Sequence, residues 1–239
     1  MKRYNRNIII EGFGPEGQEK LKKAKVLVIG AGGLGSPILY YLAAAGIGTL
    51  GILDDDTVDI TNLQRQILHR TADLGKLKVL SAQEKLLALN PETRIITHRE
   101  RFSADNASHI IHDYAFIMDA TDNYETKFLI NDVCVQEKKP YSHGAILAIQ
   151  GEAMTYVPGN ACYRCIFENP PEEGSAKTAS EAGALGAMAG IIGSIQAAEA
   201  IKYFTGIGEL LVNRILIVDG VKMKFNTLTL HQRKNCLCG

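Results

Sequence analysis

The sequence has no surplus of charge of either sign: its 26 lysines and arginines are balanced by 26 aspartates and glutamates. Without a basic excess, the composition gives no reason to expect a general affinity for nucleic acid or for an anionic membrane. Long hydrophobic runs are also missing. The longest uncharged apolar stretch, 182–198, is rich in glycine and alanine, and Gln196, Glu199 and Lys202 lie in it or just beyond it. A spanning helix needs about 20 strongly apolar residues, so this stretch reads as a buried core helix. Near the start, the apolar residues 8–10 are too few for the core of a signal peptide, and a cytoplasmic location is expected. Cysteines number five, an odd count that argues against a disulfide framework. Internal repeats and low-complexity tracts are absent too. What remains is ordinary globular composition, 46% hydrophobic and 22% charged over 239 residues. That length can build a sizeable core without covalent staples.

Short apolar runs at 26–29, 49–53, 94–97 and 116–118 read as buried strands. Between and after them, 36–45, 78–89, 104–112 and 126–136 have helical spacing, with Pro37 placed in a first turn and Asn90-Pro91 as a stop. This alternation predicts an α/β fold, a Rossmann-like, doubly wound and mainly parallel sheet. The second part differs. Residues 143–156 read as extended, 169–180 as a crossover loop, 181–204 as one long helix, and 214–230 as a strand pair turning near Asp219 and Gly220. One compact domain is expected, with a nucleotide-binding part over roughly 1–140 and a strand-rich C-terminal extension over roughly 141–239.

The first strand runs into Gly30-Ala31-Gly32-Gly33-Leu34-Gly35, a G-x-G-x-x-G pattern that opens a helix. Gly30 permits the tight turn, Gly32 lets backbone approach a phosphate, and Gly35 lets helix and strand pack closely. Asp54 ends the second strand, where a carboxylate can accept from ribose hydroxyls. The motif indicates an adenosine phosphate without naming a reaction. A nicotinamide-dependent oxidoreductase would account for it, but would leave other residues idle. Asn62, Arg65 and Lys78 follow the nucleotide strand, and two cations there can neutralise charge on a leaving pyrophosphate. The alternative for Arg65 and Lys78, each taken alone, is a solvated helix face. Asp119 and Asp122 stand at the carboxyl edge of the sheet, where a carboxylate can hold magnesium or cap a helix.

Taken in order, "RYNR" (residues 3–6), "GAGGLG", "LDDD", "TNLQRQ", "ATDN" and "CYRC" resemble the ThiF/MoeB/HesA family, bacterial relatives of ubiquitin-activating enzymes. The resemblance covers nearly the whole chain. It implies ATP-dependent adenylation of the C-terminal glycine of a small ubiquitin-like sulfur-carrier protein ending in Gly-Gly, for thiamine, molybdopterin or a related pathway. By the same resemblance Asp54 binds ribose, and Asn62, Arg65 and Lys78 contact the phosphates, with Gln64 and Asn123 beside them. Asp122 holds magnesium. Arg6 reaches the ATP of a second subunit, which implies a homodimer. An ATP-dependent tRNA-base dehydratase uses the same fold, and the neutral overall charge disfavours it.

Cys162 and Cys165 form C-x-x-C, and Cys236 and Cys238 form C-x-C at the end of the chain. Two close pairs far apart in sequence suggest a four-thiolate structural zinc clip, the alternative being free or redox-active thiols. In the resembled family the second pair is normally C-x-x-C, one residue longer than here. Cys134 falls in the apolar pattern of 126–136 and reads as an inert core cysteine. Family members that bond covalently to their partner carry a cysteine in the crossover loop. By register Ala179 takes its place, and alanine offers no nucleophile. The chain is thus expected either to adenylate only or to be an altered, inactive form.

Overall fold

The computed structural model describes residues 2–172, 175 and 179–239, with the backbone only at 179 and 180. Two N-terminal helices, α1 (Asn5–Ile8) and α2 (Gly14–Lys23), lead into β1 (Lys25–Ile29). Then follow α3 (Gly35–Ala45), β2 (Thr49–Leu53), α4 (Lys78–Leu89), β3 (Arg94–His98), α5 (Ala107–His112), β4 (Phe116–Asp119) and α6 (Tyr124–Gln136). The second part comprises β5 (Tyr141–Leu147), β6 (Gln150–Tyr156), α7 (Tyr163–Ile166), α8 (Ala179–Ala182), α9 (Gly186–Thr205), β7 (Arg214–Asp219) and β8 (Lys224–Thr229).

All eight strands join one sheet in the order β3-β2-β1-β4-β5-β6-β7-β8. The first five in that order run parallel, and β5 through β8 are paired antiparallel. The strand-rich C-terminal extension is therefore a continuation of the nucleotide sheet and shares its core. Along β1, Val26 and Val28 face one layer while Leu27 and Ile29 face the other. The first layer is built from α2, α3, α4 and α9, for example Leu21, Ile38, Leu42, Val79 and Ile192. The second is built from α5, α6 and α7, including Ile111, Phe128 and Tyr163. Burial on both faces is why these strands carry continuous apolar runs. Among the described residues no helix is long and apolar enough to cross a membrane.

Two expectations need correction. Residues 181–204 do not form one helix. Gly183, at a φ of +80°, separates α8 from α9, and 183–185 runs beside the β5–β6 turn instead. There the Ala148 amide donates to Gly183 O at 2.9 Å, and the Leu185 amide donates to Ala148 O at 2.9 Å. The composition alone misleads here, because alanines and leucine on either side continue a helical pattern that two backbone bonds override. The N-terminal helix α2 has no counterpart in the expected elements. It places Pro15 and Glu16 in its first turn and Lys20, Lys22 and Lys23 in its last, which suits the helix dipole.

Candidate functional site

Strand order reverses between β1 and β4, and ligands of such sheets bind at that crevice. The glycine loop leaves β1 at this point. Gly30 has a φ of +101°, and a Cβ there would meet Ala120 O at 2.6 Å. At Gly35 a Cβ would stand only 2.0 Å from Gly30 O, so the first turn of α3 closes on the loop only as glycine. The loop is held from two sides. The Ala31 amide donates to Asp54 Oδ2 at 2.7 Å, and the Asp56 amide donates to Asp54 Oδ1 at 2.9 Å. Burial raises the Asp54 carboxyl above its usual range, against the pull of Lys78 and these two amides. From below, His69 Nε2 donates to Ala31 O at 2.9 Å while its Nδ1 accepts from Ser81 Oγ at 2.8 Å. A carbonyl can only accept, so Nε2 carries a proton here, and burial lowers the His69 pKa. His69 was not among the residues expected from sequence. Its only signal is its place three residues past "NLQRQ".

The loop after β2 brings the cations to the glycines. Asn62 closes a capping box with Asp59 around the turn Ile60–Asn62. That orients Arg65, whose side chain packs along the glycine loop: a Cβ on Gly33 would lie 3.6 Å from Arg65 Cγ. Arg65 Nη1 donates to Thr61 O at 3.0 Å, and Gln64 Nε2 donates to Ala184 O at 3.5 Å. Gln66 of the same motif is buried beside Gly32, and its Oε1 has no partner among the described residues. Lys78 opens α4 and is not on a solvated face: its side chain is 6% exposed, and its Nζ donates to Asp56 Oδ2 at 2.7 Å.

Past β4 the two aspartates part company. Asp119 is buried and bonded to Lys127 and His143, so its carboxylate does not face the cleft. Asp122 is exposed on the connecting turn. Neither caps α6; Asn123 does, its side chain accepting from the Thr126 amide at 2.9 Å. Arg6 sits exposed on α1, and no hydrogen bond or ion pair joins it to the other candidates among the described residues. Ala179 begins α8, but its side chain lies outside the described residues, as does part of the expected crossover loop.

On the far side of the sheet, the sulfurs of Cys162, Cys165, Cys236 and Cys238 all lie within 4.8 Å of one another. The Cys162–Cys236 and Cys165–Cys238 separations are 3.4 and 3.5 Å. A zinc–sulfur bond of about 2.3 Å gives a tetrahedral edge of about 3.8 Å, so the donor set fits a four-thiolate metal. The C-x-C spacing does not exclude Cys238. Arg164, between the first pair, clamps α7 to α6 through Asp132 at 2.5 and 2.8 Å. Cys134 is fully buried in α6 and distant in role from this cluster.

A model of the ThiF family matches residues 4–239. The chain belongs to the ThiF family. Among its relatives, the sulfur carrier protein adenylyltransferase of Thermus thermophilus is 42% identical over 244 residues, covering 99% of this chain and 90% of that protein. The probable adenylyltransferase/sulfurtransferase MoeZ of Mycobacterium tuberculosis is 43% identical across 96% of this chain, which spans only 60% of that relative's length. Among solved structures, E. coli MccB with ATP superposes with a TM-score of 0.85 at 26% identity, covering 100% of this chain and 75% of that one. The fold is thus the α/β, mainly parallel sheet of the ThiF family, as expected.

Proposed function

We propose that this chain is an ATP-dependent adenylyltransferase acting on the C-terminal carboxylate of a small sulfur-carrier protein. The observation that carries this reading is the set of charges around the glycine loop. Arg65 lies against Gly33, and Lys78 Nζ donates to Asp56, whose amide is bonded to Asp54 beside the loop. Hydride transfer would leave those cations without work, whereas a departing pyrophosphate needs them. The relative from Thermus thermophilus, matched over nearly its whole length, carries the same activity in its name.

In this reading the adenine nucleotide lies over the glycine loop, with its ribose on Asp54 and its phosphates against the loop amides, Arg65 and Lys78. Gln64, Asn62 and Asn123 shape the rim. The incoming carboxylate attacks the α-phosphorus, the bond to the bridging oxygen breaks, and pyrophosphate leaves with its charge neutralised. Magnesium, when bound, would neutralise phosphate charge, and exposed Asp122 is the residue that would hold it. Zinc would be held by Cys162, Cys165, Cys236 and Cys238 as a closed structural site, tying the C-terminal tail to α7. The carrier docks on the part over roughly 141–239, where Met223, Phe225 and Leu228 of the outer hairpin are 62%, 50% and 55% exposed.

The test is pyrophosphate exchange into ATP in the presence of a Gly-Gly-terminated carrier. Adduct formation is measured in the same mixture by non-reducing gel and intact mass. Exchange is expected with no thiol-reversible adduct, because Ala179 supplies no nucleophile and Cys134 is buried. A nicotinamide absorbance change without exchange would sink the assignment, and a reducible adduct would overturn the claim that no cysteine acts.

We infer further that the working unit is a homodimer in which Arg6 serves the partner's nucleotide. Its exposure on α1, apart from its own glycine loop, supports this, as do Ile9 and Ile10 at 61% and 49% exposure just beyond it. Mixing Arg6→Ala with Asp122→Ala subunits is expected to restore about one working site per mixed dimer, whereas either variant alone stays inactive. No recovery after verified subunit exchange would place Arg6 in its own chain's chemistry or outside it.

A further inference from the structure

Beneath the turn that carries Asp122 lies a group of buried charges that the adenylation chemistry leaves unused. Asp119, the last residue of β4, is 1% exposed, and its carboxylate has acceptors on both oxygens occupied. Oδ1 accepts from the Thr121 amide at 3.1 Å and from Thr121 Oγ1 at 2.7 Å, which folds the chain over toward Asp122. Oδ2 accepts from His143 Nδ1 at 2.7 Å and from Lys127 Nζ at 3.1 Å. Its backbone carbonyl accepts from Gln196 Nε2 at 2.8 Å. The carboxylate is thus a hub that builds a turn on one side and is anchored on the other.

His143 is the anchor's variable part. It stands on β5, 1% exposed, with its ring 4.5 Å from that of Tyr163 on α7. Its Nε2 donates to Glu152 Oε1 on β6 at 3.2 Å, and the Glu152 side chain is 24% exposed. Lys127 from α6 faces the same carboxylate and also donates to Gly144 O at 2.8 Å. Asp119 and Glu152 against Lys127 and His143 make a group neutral only when the imidazole is charged and donates both ways. Burial opposes that charge, but the two carboxylates outweigh it and raise the His143 pKa. Burial likewise opposes ionisation of Asp119, and Lys127 with His143 still holds it well below the usual carboxylate range. Such a network fixes one geometry because every alternative strands a buried charge.

Resting on the adenylation reading above, we propose that His143 is a positioning residue for the reaction: through Asp119 it sets the turn 120–122, and so the place of Asp122 at the α-phosphate. Apart from Asn123 at the rim, which is held by its own cap of α6, the nucleotide's other contacts come from β1, the end of β2, the following loop and α4, none of which touches His143 by hydrogen bond. Loss of the His143 donor therefore displaces Asp122 and leaves ATP binding in place. A misplacement on the order of 1 Å can cost about 100-fold in rate.

Steady-state pyrophosphate exchange, scaled to nucleotide-binding sites, separates this from a merely structural role. His143→Leu is expected to lower kcat by up to about 100-fold with KM for ATP within about threefold of the parent. His143→Asn, which keeps a donor at the Nδ1 position, is expected to recover kcat to within about threefold. If His143→Leu fails to fold, Thr121→Val tests the same turn by removing the hydroxyl that donates to Asp119 Oδ1, and the same split of kcat from KM is expected. Unchanged kcat in these variants, an equal loss in the leucine and asparagine variants, or a rise in KM instead overturns the positioning role while the function stands. Absence of exchange in the parent protein, with carrier and magnesium present, overturns the function and this inference together.

Discussion

Alanine at Arg65, Lys78 or Asp122 is expected to lower pyrophosphate exchange on the order of 100- to 1000-fold each, the usual cost of removing one preorganised charge contact. The structure says how the three losses will differ. Lys78 is almost wholly buried, and its partner Asp56 has a side chain 67% exposed. Removing the lysine leaves Asp56 to water but takes the nearby cation from the partly buried Asp54 carboxyl, so a modest loss of stability accompanies the loss of activity. Its loss is felt by the bound substrate and more strongly by the transition state, so KM for ATP rises as kcat falls. Arg65 lies along Gly33 and donates to Thr61 O, so its removal also loosens the turn Ile60–Asn62. Asp122 is exposed, and among the described residues no hydrogen bond or ion pair ties its side chain to the fold, so its alanine variant should melt as the parent does while losing kcat. Exchange rates within about threefold of the parent for all three would remove them from the site.

Loss of the cysteine cluster is expected to have the larger effect on stability. Structural zinc in small peptides is worth roughly 10–16 kcal/mol. Here a core already exists without it, so the protein should lose its C-terminal tail and melt earlier without unfolding outright. Elemental analysis should find one zinc per chain, and Cys162→Ser should remove it and lower Tm. The consequence is not confined to the tail. Cys162 precedes Tyr163, whose amide donates to Asn131 Oδ1 at 2.9 Å and whose ring packs on Phe128 and His143. Cys238→Ser, examined separately, checks the shorter second pair: its sulfur lies 3.5 Å from that of Cys165, so zinc content should fall in this variant too. Full stability and activity in metal-free protein would refute a structural metal.

Much of this was legible in the sequence because it rests on local patterns. The run 49–53 and the segment 78–89 match β2 and α4 residue for residue. Both are bounded by strong punctuation, and their periodicity comes from burial that tertiary contacts reinforce. The glycine loop was legible for a harder reason: Gly30 and Gly35 are the residues whose Cβ atoms would collide with backbone, so sterics write the motif. What was not legible depends on contacts far apart in the chain. Asp119 and Asp122 look alike in "DATDN", and only the approach of Lys127 and His143 makes one a buried hub and leaves the other in solvent. The break before α9 is set by Ala148, more than 30 residues upstream, which no helical pattern records. His69 was missed because a single histidine after an apolar pair carries no signal until Ala31 is seen above it.

The ion pair between Lys78 and Asp56 gives the site the character of an ion exchanger. On the proposed adenylation reading, an arriving phosphate oxygen would not meet a bare ammonium; it would replace a carboxylate oxygen already 2.7 Å away. The electrostatic gain is the difference between two similar contacts, smaller than one new contact, and its dependence on ionic strength is correspondingly shallow. In the same reading, the carboxylate would be in reach to take back the lysine as pyrophosphate departs, so the cation proposed to help the leaving group form would not have to hold it afterwards. Asp56, with two-thirds of its side chain in water, can swing between these states at little cost to the fold. A site built this way would trade binding strength for turnover within a single side-chain contact.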